Sequence, residues 1–346
     1  MKKILAILLT ACLALALAAC GETEEPETAV PETATEEETT VATTVFTIPQ
    51  SIRTELTTPA AAPSARGNPV WSLNFGPYYL DGMDPELGSP LSEEQIRAAL
   101  RAVAPYCDTI RTFGVTGELN KLYKIAKEEF GLRVIAGCWI GGGYNDAQVQ
   151  DELAALAGIA GNGWADILLV GSEGLFRRDY SAWQLIGWMD TLRGMLRRPL
   201  PVGTSDTAGA LLGEKNLIAN SDIVCYTYYP YFSGADISRA AEDFAQMHRK
   251  MRAAAGDKPL ICGETGWPDD GEPVGGAVPG AENAARYFDE IYAYSRENGL
   301  EVCYFEAITE PWKGKYGAAE RSFGLLGSDL RPKAHYSRAL ADIAAQ

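Results

Sequence analysis

From about residue 68 onward, short runs of apolar or β-branched residues alternate with longer stretches in which apolar positions recur at helical spacing. The short runs predict strands over residues 70–75, 109–113, 133–138, 166–170, 200–203, 223–228, 259–263 and 301–305. Helices are expected between them, among them 92–103, where Ser92 and Gln95 have capping-box spacing, and 146–160, 180–196 and 237–254. Ile167-Leu168-Leu169-Val170 is apolar at consecutive positions, as a strand covered on both faces should be. Eight such units in series predict an α/β chain closed as a (β/α)8 TIM barrel. An open doubly wound sheet would usually announce itself by a glycine-rich phosphate loop after an early strand. The triple glycine Gly141 to Gly143 follows the third strand without that spacing and reads as a flexible rim loop.

The pattern changes upstream. Residues 1–19 start with Lys2 and Lys3, continue as an apolar run too short to span a bilayer, and end in small residues before Cys20. That is the layout of an export signal. Residues 20–67 are rich in Glu, Thr, Pro and Ala and nearly devoid of aromatics, so they cannot bury enough apolar surface to offset the entropy of ordering. A disordered tether is expected there. Residues 68–346 keep a steady composition, rich in aromatics, at the length of one barrel domain.

The formal net charge of -16 is less telling than it looks, because nine glutamates against two arginines place seven of those charges in the tether. Acidity still argues against nucleic acid, which demands clustered Lys and Arg; short basic runs such as residues 193–198 look like a helix end. Beyond Cys20, the thiols Cys107, Cys138, Cys225, Cys262 and Cys303 form no CxxC pair, and the last four lie in strand-like runs, so buried free thiols are expected. The two histidines, His248 and His335, stand in helical stretches beside basic residues and are expected at solvated positions. No metal centre, no organic cofactor and no catalytic triad is expected, and a monomer is.

In a (β/α)8 barrel, chemistry collects where the strands end and the following loops converge. The fourth strand runs into Gly171-Ser172-Glu173 and the seventh into Gly263-Glu264, which places two glutamates at one mouth. A retaining glycosidase needs two such carboxylates, one protonated as acid and one ionised as nucleophile. A single glutamate at a loop start is more simply a helix cap or a partner of an arginine such as Arg177. Two at matching strand ends favour chemistry. Tyr78, Tyr79, Trp139, Tyr228, Tyr229, Tyr231, Phe232, Trp267 and Trp312 crowd the same loops, and flat rings between carboxylates suit a polysaccharide, although any one of them could be packing.

These residues carry a resemblance. ICGETGWPDDG resembles the nucleophile motif of glycoside hydrolase family 17, the β-1,3-glucanases. LLVGSEGLFRRD is similar to its acid/base motif and YFEAITEPWKGK to its strand-eight motif. LNFGPY and IRTFG match the bacterial branch at strands one and two, and YTYYPYF resembles the strand-six segment, so the likeness spans residues 70–335. It implies Glu264 as nucleophile and Glu173 as general acid and base, with Glu310 and Lys313 as the pair that holds the acid in place and Tyr229 beside the nucleophile. Glu306 is expected at the cleft floor, Ser172 and Arg111 in support, and Asn74, Tyr78, Trp139, Tyr231, Trp267 and Trp312 on the sugar. Leu17-Ala18-Ala19-Cys20-Gly21 resembles a bacterial lipobox, which implies cleavage before Cys20, a lipid on its thiol, and an exported, membrane-anchored lipoprotein at the cell surface or periplasmic face.

The chain departs from the family at two places: Ser172 stands where Asn precedes the acid, and Thr309 where Asp or Asn is usual. Loss of a bond that strengthens in the transition state weakens catalysis. Three readings stay open: a β-1,3-glucan hydrolase, a glucan transglycosylase using the same intermediate, and a surface glucan-binding lipoprotein of weakened catalysis.

Overall fold

The computed structural model describes residues 71–345. The expected leader, the lipidated Cys20 and the tether lie outside the described residues. Among the described residues, eight parallel strands run in chain order: β1 Trp71–Asn74, β2 Thr109–Arg111, β3 Arg133–Cys138, β4 Ile167–Ser172, β5 Val202–Thr207, β6 Ile223–Thr227, β7 Leu260–Thr265 and β8 Glu301–Tyr304. Each pairs with the next and β1 pairs with β8, which closes the predicted barrel. The helices are α1 Glu93–Val103, α2 Asn120–Glu128, α3 Asp146–Gly161, the single turn α4 Gly174–Arg177, α5 Ala182–Met195, α6 Ala208–Gly213, α7 Lys215–Asn220, α8 Ile237–Ala255, α9 Ala281–Asn298 and α10 Ser337–Ala344. Among the described residues no helix is long and apolar enough to cross a membrane.

Alternation along the strands explains their unbroken apolar runs. Ile135, Ile167, Leu169, Ile223, Cys225, Ile261 and Cys303 fill the barrel, whereas Leu168, Val170, Val224 and Cys262 belong to the layer between strands and helices. All five described thiols are buried, as small hydrophobes should be. The expected capping box opens α1: the Ser92 hydroxyl accepts from the Gln95 amide at 3.1 Å and the Ser92 amide donates back to the Gln95 side chain at 2.9 Å.

The two ends of the barrel differ. At the amino end, where the chain enters through Trp71, Glu301 accepts from Ser72 at 2.9 Å and pairs with Arg133 at 2.5 Å, a polar plug under the apolar interior. At the carboxyl end the strands carry polar residues into the cleft; there the predicted ends of three strands fall short, while those of β1, β2, β6 and β8 run one or two residues too far. β5 spans Val202–Thr207 rather than starting at Leu200 and stopping at Gly203, because Thr204, Ser205 and Asp206 remain strand while looking like a loop. β4 likewise continues through Ser172, and β7 contains Glu264 rather than ending before it.

The histidines are corrected as well. His248 shares the inward face of α8 with Phe244 and Met251, is buried, and meets the Tyr294 ring at 5.8 Å. His335 is partly buried, 3.4 Å from Asp269. Of the rim glycines, Gly142 lies against the next loop, where a Cβ would stand 2.5 Å from the Asp179 carboxylate, and Gly143 has open space around it and a left-handed backbone at φ 93°.

Candidate active site

Glu264 projects from the carboxyl end of β7 and is buried. Arg111, the last residue of β2, donates to its Oε1 at 2.7 Å, and the Tyr229 hydroxyl donates to its Oε2 at 3.0 Å. Arg111 is itself buried and is held by several groups: Nη1 also donates to Asn74 Oδ1 at 2.9 Å and to the Gly263 carbonyl at 3.1 Å, and Nη2 reaches Ser172 Oγ at 3.4 Å. Burial is the largest single influence on the Arg111 pKa and lowers it, but the charge of Glu264, the buried Cys225 and Cys303 and the hydrogen bond to Glu264 together outweigh it, and the net shift is upward. The phenol of Tyr229 is pushed well above its ordinary value by burial, then by Glu264 and Glu173, so it remains a donor.

Glu173 follows β4 directly. Its amide donates to the Ser205 carbonyl at 2.8 Å, and its backbone is left-handed at φ 52°, an uncommon choice for a side chain with a Cβ. That turn starts α4 and points the carboxyl into the site, where Thr227 Oγ1 donates to Oε1 at 2.6 Å. Burial, then the negative charge of Glu264, push the Glu173 acid up to about 8, against the opposing Thr227 bond. Arg177 does not neutralise it by contact; that guanidinium donates to the Ser172 carbonyl at 2.7 Å and pairs with Asp179 at 2.8 Å.

A second group of acids rises from the loop after β8. Lys313 pairs with Glu310 at 2.9 Å and with Glu306. Its ion pairs go to these two glutamates, so the support of Glu173 expected of Glu310 and Lys313 is not made by direct contact. Burial pushes the Glu306 acid up to about 8 although Lys313 opposes it. Glu310 also accepts from the Tyr78 amide at 3.2 Å, and it lies so close to Gly76 that any side chain there would meet the carboxylate. Glu306 Oε1 and Glu320 Oε1 are buried without a partner, as is the Thr309 hydroxyl where the family's Asp or Asn would stand.

The aromatic residues divide into two kinds. Trp139 and Trp312 are half-buried and stacked with cations, Arg177 at 4.6 Å and Lys315 at 5.2 Å from the ring centres. Phe113, Tyr229 and Phe232 are also half-buried, with Arg111 4.5 Å from the Phe113 ring centre. By contrast, Asn74, Tyr231 and Trp267 are buried with their donors taken by backbone carbonyls, and Asn74 Oδ1 is held by Arg111. Asn74 Nδ2 donates to the carbonyls of Gly263 and Cys303, Tyr231 OH to Glu272 and Trp267 Nε1 to Val278. These three, expected on the sugar, brace the wall from behind. Tyr78 is buried too, its backbone serving Glu310.

Sequence reasoning did not single out Thr227, Asp206, Phe113, Phe305 or Glu320. The first four stand at or just beyond strand ends, where the same rule that found the glutamates applies. Glu320 lies in a turn with no such marker.

The BtgE/BtgC glycoside hydrolase domain model matches residues 73–324. The glucan 1,3-beta-glucosidase of Schizosaccharomyces pombe is 30% identical over 251 residues, 67% of this chain and 77% of its own. A glucan 1,3-beta-glucosidase of Candida albicans is 30% identical over 246 residues, 64% of this chain and 79% of its own. Among solved structures, the glycoside hydrolase family 17 beta-1,3-glucanosyltransferase of Rhizomucor miehei superposes with a TM-score of 0.68 at 25% identity, covering 77% of this chain and 96% of that one. An active-site mutant of that enzyme, in complex with laminaritriose, superposes equally well.

Proposed function

The chain belongs to the BtgE/BtgC glycoside hydrolase family, and from that premise we propose that it cleaves β-1,3-glucan with retention, through a covalent glycosyl-enzyme intermediate. The observation that carries the reading is the contrast between two buried glutamates at one barrel mouth. Glu264 is anchored as an ion pair on Arg111, and Glu173 is kept in its acid form by burial and by Glu264 itself. The names of the relatives, glucan 1,3-beta-glucosidases, supply the linkage.

In the first step Glu264 attacks the anomeric carbon while the bond to the bridging oxygen breaks and Glu173 gives that oxygen its proton. The sugar is then an ester of Glu264, and the released glucan carries a new hydroxyl. In the second step Glu173, now a carboxylate, takes a proton from water, whose oxygen displaces Glu264 and restores it. Arg111 and Tyr229 hold one oxygen of Glu264 each, so the nucleophile enters the reaction already oriented.

Replacing Glu264→Gln in the folded protein is expected to abolish cleavage of laminarin, and a fluorinated glucoside is expected to add its mass to Glu264 in the unaltered chain. Undiminished turnover by the variant would remove the assignment. A second reading is favoured by the likeness to the Rhizomucor glucanosyltransferase: a glucan hydroxyl in place of water at the second step. It is told apart by products longer than the starting oligosaccharide.

We further infer from the leader that the protein is exported and held to a membrane by lipid on Cys20, and separately expect it to act as a monomer on its glucan. Loss of fatty-acid labelling in Cys20→Ser, and elution of the purified chain at the mass of one copy, are the expected results.

A further inference from the structure

Glu173 occupies the position that caps α4, yet its side chain makes no capping bond. A residue at that position ordinarily accepts from the second and third amides of its helix. Here those amides belong to Leu175 and Phe176, and both are taken by Asp206 of the neighbouring strand β5, at 2.8 Å and 3.2 Å. Asp206 is fully buried and also accepts from the Thr207 amide at 2.8 Å. We propose that Asp206 is the positioning residue of the acid: it caps α4 in place of Glu173, fixing the left-handed turn and leaving the Glu173 carboxyl free for the cleft. This rests on the reading of Glu173 as the acid.

The arrangement has an electrostatic side. Glu173 is faced by Glu264 from β7, Asp206 from β5, Thr227 from β6 and Arg177 from α4. Burial contributes most to holding its proton, Glu264 next, and Asp206 adds in the same direction, while Thr227 and Arg177 oppose. Asp206 is faced by Arg177 and Tyr180, and burial pushes its own acid up to about 6, so it is ionised at the pH where Glu173 loses its proton. Geometry and charge therefore act together on one carboxyl.

Two substrates separate these effects in the purified full chain: a laminari-oligosaccharide, whose leaving oxygen needs a proton, and a dinitrophenyl β-glucoside, whose leaving group does not. For Asp206→Asn, kcat/KM on the oligosaccharide is expected to fall at least about tenfold while the dinitrophenyl glucoside is cleaved nearly as before. The alkaline limb of the oligosaccharide profile should move to lower pH, because removing a negative charge lets Glu173 ionise sooner. An unmoved limb with an unchanged ratio of the two substrates overturns the proposal. Should thermal melting show Asp206→Asn unfolded, Asp206→Glu decides: it keeps the charge but displaces the carboxylate, so oligosaccharide turnover falls with the limb in place, and wild-type turnover overturns the proposal. Glu173→Gln tests the underlying reading separately. If it cleaves the oligosaccharide like wild type, Glu173 is not the acid; if it loses only that substrate, failure of the Asp206 variants concerns Asp206 alone.

Discussion

Arg111 Nη1 lies 2.7 Å from Glu264 Oε1, and both side chains are almost wholly withdrawn from solvent, at 1% and 9% exposure. A pair so placed is not a gain in stability by itself, since desolvating two charges costs about as much as their attraction returns. Its value is in orientation, and breaking it is costly. Arg111→Met strands a buried carboxylate and is expected to lower stability by about 3–5 kcal/mol, read as a shift in the denaturant midpoint. A variant as stable as wild type would show that Glu264 needs no counter-charge.

Tyr229 holds the other oxygen of Glu264. Tyr229→Phe removes the hydroxyl and keeps the ring packed against Phe232, Phe305 and Phe323. A bond to a charged group is worth about 1.5–3 kcal/mol, so kcat/KM should fall roughly ten- to hundredfold with little change in melting temperature. Equal loss of both would recast the hydroxyl as structural.

In the proposed mechanism the acid form of Glu173 is the active one in the first step, and burial with Glu264 pushes its loss up to about 8. The rate of bond cleavage should therefore persist through neutral pH and decline as pH rises through that value. Thr227→Val deletes a bond that favours the charged form. Its alkaline limb should lie at higher pH than that of wild type, opposite to Asp206→Asn; profiles of kcat/KM for the three proteins measure the order directly.

Lys313 balances Glu306 and Glu310 in the loop after β8. Lys313→Met leaves two buried acids without a counter-ion and should destabilise the fold by about 3–5 kcal/mol at neutral pH. The folded state would then bind protons more tightly than the unfolded one, so the deficit should shrink as pH falls. Melts at neutral and acid pH test the sign, and a deficit independent of pH would refute it.

Glu264 and Glu173 were legible in the sequence because each stands at the carboxyl end of an apolar run, and strand polarity alone fixes which end of a barrel they share. Asp206 was not, since Thr204-Ser205-Asp206 has the composition of a loop; near the mouth, strand residues answer to the cleft instead of the core. Nor does composition tell Trp139 from Trp267. Both follow strands, but the Trp267 indole finds the Val278 carbonyl and sinks into the wall, while Trp139 stays half-open under Arg177. Glu173 is bonded by Thr227 of β6 rather than by Glu310 or Lys313, and Asp206 of β5 takes the Leu175 amide of the turn that follows it, contacts between distant segments that no linear motif contains.

The chain enters the barrel through Trp71, at the end plugged by Ser72, Arg133 and Glu301, and the carboxylates stand at the other end. The barrel is thus reached from its back, and on the proposed attachment through Cys20 the mouth that holds Glu173 and Glu264 is the face turned away from where the preceding chain joins.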